Sequence, residues 1–422
     1  MTKYILMTEL KPPQKLQTDK AFVDACSIIQ SKETLNIDTS MSYIILNSDK
    51  EYLCNDDHSK RLYNSVILEP KAHTVMGIGP PLAYELDTYK ELYPESTVDL
   101  SNMVIEEMVE GVFIQMFFDY RIHKWEIATR NSVSGNYSYY HVAMEGGERA
   151  LTYREMFLDA LGRKSETPQL DIDSWDGIPY LDQKCCYHFI LQHPNNHMVL
   201  NDISPQVYFT GFYRMHVDSI ANNIQYVSSQ TVAVFPETLT VKIPRVAPAH
   251  TPFTYDKNID VYTSAHCEHL VMGLSFLHKY TSDRCFVIHD RYKQLQQLRG
   301  TNSNLLYQYL CLRRISKIHE FLKYFPQYRK VFWKYHEMYE ALIQLIHQSY
   351  FEYYIKKTRE TVHKKIFYHI SQIHHTIYKP SLQEKEKTII RKAIVRKYLG
   401  ELEPGNILHL LQNELYKQEG TI

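Results

Sequence analysis

The residues of this chain whose types and spacing offer chemistry cluster in a few places. His266-Cys267-Glu268-His269 packs four ligand-type side chains together. On a helix, His266 and His269 would share a face and form half of a zinc site; on a strand they point to opposite sides. The surrounding residues favour a strand and supply no second Cys/His cluster, so no metal is expected. Thr129-Arg130-Asn131-Ser132 sets a guanidinium among small polar side chains, a composition that binds phosphate and equally closes a hairpin. Phe351-Glu352-Tyr353-Tyr354-Ile355-Lys356-Lys357, followed by Lys364, Lys365 and His374-His375, mixes rings with cations, as a surface that stacks bases and neutralises phosphates does. A solvated helix face whose tyrosines enter a core has the same pattern and is the simpler reading. The chain has 34 tyrosines, which supply rigid interface area or reflect codon bias alone. Its 7 cysteines contain no CxxC pair, and the adjacent Cys185-Cys186 suits neither a disulfide nor a zinc knuckle; reduced, mostly buried thiols follow.

The elements that must position these groups come in two kinds. From residue 40 to about 300, short β-branched and aromatic runs such as Ser42 to Asn47, Ser65 to Leu68 and Val112 to Phe118 read as strands. Helices are expected at Ala21 to Ser31 and at Thr152 to Leu161, where Thr152 and Glu155 make a capping box ahead of an apolar stripe. The Pro-rich stretch from Pro236 to Pro252 reads as an internal connector. After Arg299-Gly300, Leu305, Tyr309, Leu312, Ile315 and Ile318 recur at helical spacing. Pro326, Pro380 and Pro404 divide this tail into helices, and Tyr339 to His375 is its longest amphipathic block.

Charge follows the same division. Residues 301–422 hold 20 Lys+Arg against 11 acidic residues, a net +9; with 47 and 48 in the whole chain, residues 1–300 keep 27 against 37, a net −10. A basic tail attracts phosphates, or docks against the acidic part of its own chain. With 44% hydrophobic and 23% charged residues the composition is that of a globular protein that folds in water. No signal-peptide pattern and no apolar run approaching the roughly 20 residues of a membrane span is present, which predicts an intracellular protein without a membrane partner.

Four further segments stand in a telling order. Met108-Val109-Glu110-Gly111 precedes the strand Val112 to Phe118, the strand Trp125 to Arg130 and the helix bearing Glu155-Met156-Phe157. Tyr187 to Val199 contains Pro194-Asn195-Asn196-His197-Met198-Val199; then come Glu268-His269-Leu270-Val271, and Arg284 to His289 with Tyr292 and Arg299-Gly300. This series, over roughly residues 60 to 330, resembles the RNA-ligase branch of the covalent nucleotidyltransferases as found in large cytoplasmic DNA viruses. The resemblance implies an α+β fold with antiparallel sheets over residues 1–300 and an all-helical domain over 301–422.

It also implies which residues should do the chemistry. In that family a lysine amine attacks the α-phosphate of a nucleotide beside an Asp/Glu-Gly turn. Here the turn is Glu110-Gly111, but Met108 stands at the lysine's place. The family's carboxylate falls on Ile190 and its arginine on His197, while Phe286 and Ile288 replace the two phosphate-gripping lysines. Glu110, Gly111, Arg130 and Glu268 remain as candidate nucleotide-binding residues, and Lys356, Lys357, Lys364 and Lys365 as nucleic-acid contacts. Lys71 and Lys124 lie near matched segments, but neither precedes an acidic-glycine turn.

These replacements predict a degenerate, non-catalytic protein without a cofactor or metal. RNA, DNA or other viral proteins are its expected partners, in host cytoplasm, a viral factory or a virion. The competing expectations are an active ATP- and magnesium-dependent RNA ligase using a displaced lysine, and a purely structural protein whose cleft is filled by its own side chains.

Overall fold

The computed structural model describes residues 14–15, 17–18, 20–49, 51, 59–138, 151–162, 171–196, 198–200, 204–218, 221–228, 235–236, 239–247, 249, 252–263, 271–300, 302, 304–383 and 388–412. The chain forms two compact units, Met1–Gln296 and Gln297–Ile422. The fold is α+β, with antiparallel sheets followed by helices.

Three sheets build the first unit. The largest runs in the order β1 (Gln14–Lys15), β12 (Ala221–Ser228), β11 (Gln206–Asp218), β10 (Cys185–Gln192), β7 (Val112–Asp119), β8 (Lys124–Thr129) and β9 (Ser132–Val133). All these neighbours are antiparallel; a short β13 (Val241–Lys242) adds to β11 in parallel. A second sheet joins β2 (Ile29–Asn36), β3 (Met41–Ser48), β4 (Val66–Leu68) and β5 (Val75–Gly77). The third places β14 (Gly273–His278) between β15 (Arg284–Ile288) and β6 (Met103–Glu107).

The large sheet is covered on both faces, so its central strands are apolar almost throughout rather than alternating. On one face lies α3 (Tyr153–Ala160), entered through the Thr152/Glu155 capping box. Its Met156, Phe157 and Leu158 pack with Ile114, Met116, Phe189 and Phe209. Full burial of a ring such as Phe157 stabilises by roughly 1.5–3 kcal/mol. On the other face Tyr43, Ile45, Ile67 and Met76 of the second sheet meet Phe117, Cys186 and Met215. The third sheet has its own core, in which Tyr89 of α2 (Leu86–Leu92) and Tyr255 of α4 (Tyr255–Thr263) cover Leu274, Phe276 and Cys285.

The N-terminal helix expected over Ala21 to Ser31 is shorter: α1 spans Lys20–Ala25, and Ile29 already pairs with Ser48 as the start of β2. Burial of Ile29 in the core beneath that sheet overrides the helical pattern. The connector from Pro236 to Pro252 contains β13, and Val246 bridges to Glu106.

After α5 (Asp290–Arg299), which crosses the unit boundary, the second unit consists of α6 (Leu305–Arg314), α7 (Ile318–Tyr324), α8 (Arg329–Tyr350), α9 (Lys364–Ile373), α10 (Lys379–Ser381), α11 (Lys392–Glu401) and α12 (Pro404–Gln412). One core unites them, with Tyr309, Phe321, Phe332, Ile343, Ile346, Ile370, Val395 and Leu399 inside it. The amphipathic block Tyr339 to His375 is not one helix. α8 widens into a π-turn at Phe351–Lys356 and stops at Lys357, whose φ of 56° is left-handed, before α9 begins. A second π-turn, His374–Tyr378, follows α9, and His374 stacks on Tyr354 at 3.9 Å between ring centroids.

Candidate functional site

Strand β6 delivers Met108 to a cavity of about 320 Å³ between the large and the three-stranded sheets. The Met108 N–H donates to the carbonyl of Gly273 at 2.8 Å. Gly273 can lie that close to β15 only without a side chain, since a Cβ there would meet the Val287 carbonyl oxygen at 2.1 Å. Two residues on from Glu107, the chain turns through Val109, Glu110 and Gly111 into β7. A Cβ at Gly111 would meet the Leu191 carbonyl oxygen at 2.4 Å and the Ile190 side chain at 2.6 Å. This glycine is therefore required by the close approach of β10, where Ile190 stands opposite Phe113.

Met108, Gly111, Arg130, Ile190 and Phe286 all line this cavity. Ile288 does not; it pairs with Gly273 two residues further along β15. Glu268 and His197, with the whole His266-Cys267-Glu268-His269 stretch, lie outside the described residues. The remaining wall combines Pro80, Pro81, Leu82, Phe113 and Met272 with Asn64, Glu106, Glu107, Thr210, Ser275 and Arg284. Arg284, which no motif in the sequence marks, alternates with Phe286 on one strand and so shares its face.

Glu110 is turned away from this cavity. Its carboxylate, 5% exposed, accepts the backbone N–H groups of Met198 at 2.5 Å, Val199 at 3.1 Å and Leu200 at 3.0 Å, and the Tyr292 hydroxyl at 2.7 Å. A side chain so occupied holds the segment after β10 against α5. Spacing along the sequence carries no signal for this role, because its partners are about 90 and 182 residues away.

Arg130 sits at the end of β8, where its carbonyl accepts the Asn47 side-chain amide at 3.4 Å. Partial burial lowers the pKa of its guanidinium. Among the described residues, no carboxylate is ion-paired with it. On the opposite wall Glu107 pairs with the exposed Arg245 at 3.6 Å. Beneath Phe113, His188 is fully buried with Nε2 donating to the Ile78 carbonyl at 2.6 Å, and burial pushes its pKa down to about 3. It is a neutral structural group.

Among the described residues, no lysine, cysteine or histidine lines the cavity. Ser275 and Thr210 bring hydroxyls, and among the described residues no histidine lines the cavity to serve as their base. Lys124 is engaged by Asp171 at 3.1 Å, and Lys71 lies on an exposed turn; neither reaches the cavity. A neighbouring cavity of about 310 Å³ shares Glu107, Met108, Val109 and Met272 with the first and adds Gln192, Tyr208, Lys242 and Arg245. No group of three or more His, Cys, Asp or Glu side chains is placed to hold a metal among the described residues. The described wall thus presents two guanidinium groups, Arg130 and Arg284, two carboxylates, Glu106 and Glu107, and the Asn64 amide among apolar side chains, with no lysine amine to hold a nucleotide covalently.

In the helical unit, Lys356 lies in the first π-turn with Nζ 5.3 Å from the Phe351 ring centre, and Lys357 ends that turn. Lys364 and Lys365 open α9, where the Lys365 ammonium is 3.1 Å from His409 Nε2. Lys356, Lys357 and Lys364 are exposed, as are Phe351, Ile355, Phe367 and Tyr368. No helix among the described residues is long and apolar enough to cross a membrane.

No protein-family model matches this chain, and no curated protein does. Solved structures similar to it include nucleic-acid ligases. A putative ATP-dependent DNA ligase from Aquifex aeolicus is 13% identical, with 78% of this chain and 79% of that chain covered and a TM-score of 0.38. An archaeal ATP-dependent RNA ligase is 10% identical, with 69% and 64% covered and a TM-score of 0.36. A variant of the Naegleria gruberi RNA ligase with ATP and manganese is 13% identical, with 46% and 51% covered and a TM-score of 0.30; this chain spans about half of that ligase.

Proposed function

We propose that this chain is a non-catalytic protein of RNA-ligase type, which binds its partners and forms no covalent nucleotide. The observation that carries this is the composition of the cleft wall: Met108, Ile190 and Phe286 line it, and no lysine does among the described residues. A thioether cannot form the phosphoramide that nucleotidyl transfer requires, and Phe286, at a place the resemblance gives to a lysine, takes one charge-assisted partner from a triphosphate. Glu110 acts as a positioning residue for the cleft. The partner is nucleic acid, met by the exposed rings and by Lys356, Lys357, Lys364 and Lys365 of the helical unit. By the sequence resemblance, its setting is a viral replication or virion assembly in host cytoplasm.

The test is fluorescence anisotropy of the full chain with a labelled single-stranded RNA over a salt series. Replacing all four lysines by glutamine is expected to weaken binding and to reduce the slope of log K against log salt by about 3, since each phosphate contact on a single strand contributes about 0.7. An unchanged slope contradicts the assignment of these lysines. A second reading, an active ligase with a displaced nucleophile, rests on Lys242, which lines the cavity that shares Met108.

A further inference from the structure

We propose that the helical unit holds a binding site for a small monocarboxylate with an apolar body, separate from the ligase-like cleft and independent of its function. A cavity of about 340 Å³ opens between the end of α6, the start of α7, the middle of α8 and the junction of α11 with α12. This is roughly twice the ~150 Å³ that accommodates a benzene ring, so about ten non-hydrogen atoms fit.

Its chemistry is divided. Leu310, Ile318, Leu402 and Ile407 give an apolar lining. Arg313 lies over the fully buried Tyr339 ring, 3.8 Å from its centre, and its side chain hydrogen-bonds the Tyr309 hydroxyl. The Tyr339 hydroxyl is buried without a hydrogen-bond partner. Arg314 also lines the cavity, but Glu403 neutralises it at 2.6 Å. Among the described residues, no carboxylate is paired with Arg313.

One uncompensated cation remains, so a single negative charge balances the site. A phosphate dianion would leave a second charge poorly solvated. The planar fork of a guanidinium held over a ring matches a carboxylate through two parallel hydrogen bonds. Gly400, exposed within α11, borders the mouth of the cavity, and partly buried Leu402 lines it beside the junction with α12.

Calorimetric titration of the full chain with sodium octanoate, octanol and octyl phosphate tests the proposal. Octanoate is expected to saturate one site, with octanol and octyl phosphate each about ten-fold weaker or more. Leu402→Trp, which enlarges a partly buried lining side chain, and Arg313→Gln, which removes the charge, should each weaken octanoate about ten-fold. Leu402 is partly exposed and accepts a larger ring, so this variant decides the matter even if Arg313→Gln fails to fold. Absence of saturable octanoate binding, equal or tighter binding of octanol or octyl phosphate, or octanoate affinity unchanged in Leu402→Trp overturns it.

Discussion

Glu110→Gln separates a positioning carboxylate from a ligand-binding one. The native carboxylate accepts three backbone N–H groups and the Tyr292 hydroxyl while 5% exposed. Hydrogen bonds to a charged group contribute roughly 1.5–3 kcal/mol each. A glutamine amide keeps one acceptor and turns a new N–H₂ donor toward groups that are themselves donors, so at least two of the four bonds are lost. The expected destabilisation is about 3–6 kcal/mol, a large share of the ~5–15 kcal/mol that holds a typical domain together. Tyr292→Phe deletes the hydroxyl's bond to Glu110 and should cost about 1–2 kcal/mol, which calibrates the series. Equilibrium urea unfolding followed by tryptophan fluorescence reads the effect. A Trp333→Phe background leaves Trp125 and Trp175 as reporters of the first unit alone. If Glu110→Gln unfolds within about 1 kcal/mol of the parent, the reasoning is wrong, and a ligand-facing role for Glu110 stands in its place.

Two further outcomes follow from the same region. Gly111→Ala forces a methyl group to 2.4 Å from the Leu191 carbonyl oxygen and should destabilise by about 2–3 kcal/mol in the same urea series; a neutral result would mean that β7 and β10 part without cost. His188, with an ordinary pKa of 6.5 and a native value of about 3, binds its proton more readily in the unfolded chain. Its stabilising contribution is therefore complete above pH 6.5 and falls as pH drops toward 3, with a slope approaching about 1.4 kcal/mol per pH unit. Unfolding measured between pH 7 and 4 should lose that part of its slope in His188→Leu, and an unchanged slope would refute the buried neutral imidazole.

Much of the scaffold was legible because local pattern and tertiary demand agree. Val112 to Asp119 and Cys185 to Gln192 are strand-forming in composition and buried in the sheet, and Thr152 with Glu155 fixes the start of α3 by a purely local exchange of hydrogen bonds. The cleft wall was partly legible: the order of segments brought Met108, Ile190, Phe286 and Arg130 into one list, and the same side chains line one cavity. What escaped has long-range or unsignalled causes. The carboxylate of Glu110 is claimed by residues 198–200 and Tyr292, which spacing cannot reveal. The break after α8 falls on Lys357, a residue type with no preference for the left-handed conformation it adopts. The orphaned Tyr339 hydroxyl and the stacked Arg313 become a site only once α6, α8 and α11 are packed together.

The most direct measurement is incubation of the full chain with α-labelled ATP, and separately GTP, in magnesium, followed by denaturing electrophoresis. No labelled protein band is the predicted result, because no lysine faces the cleft among the described residues. A band that survives denaturation, and that vanishes in Lys242→Ala, would contradict it and establish covalent nucleotidyl transfer through a relocated amine.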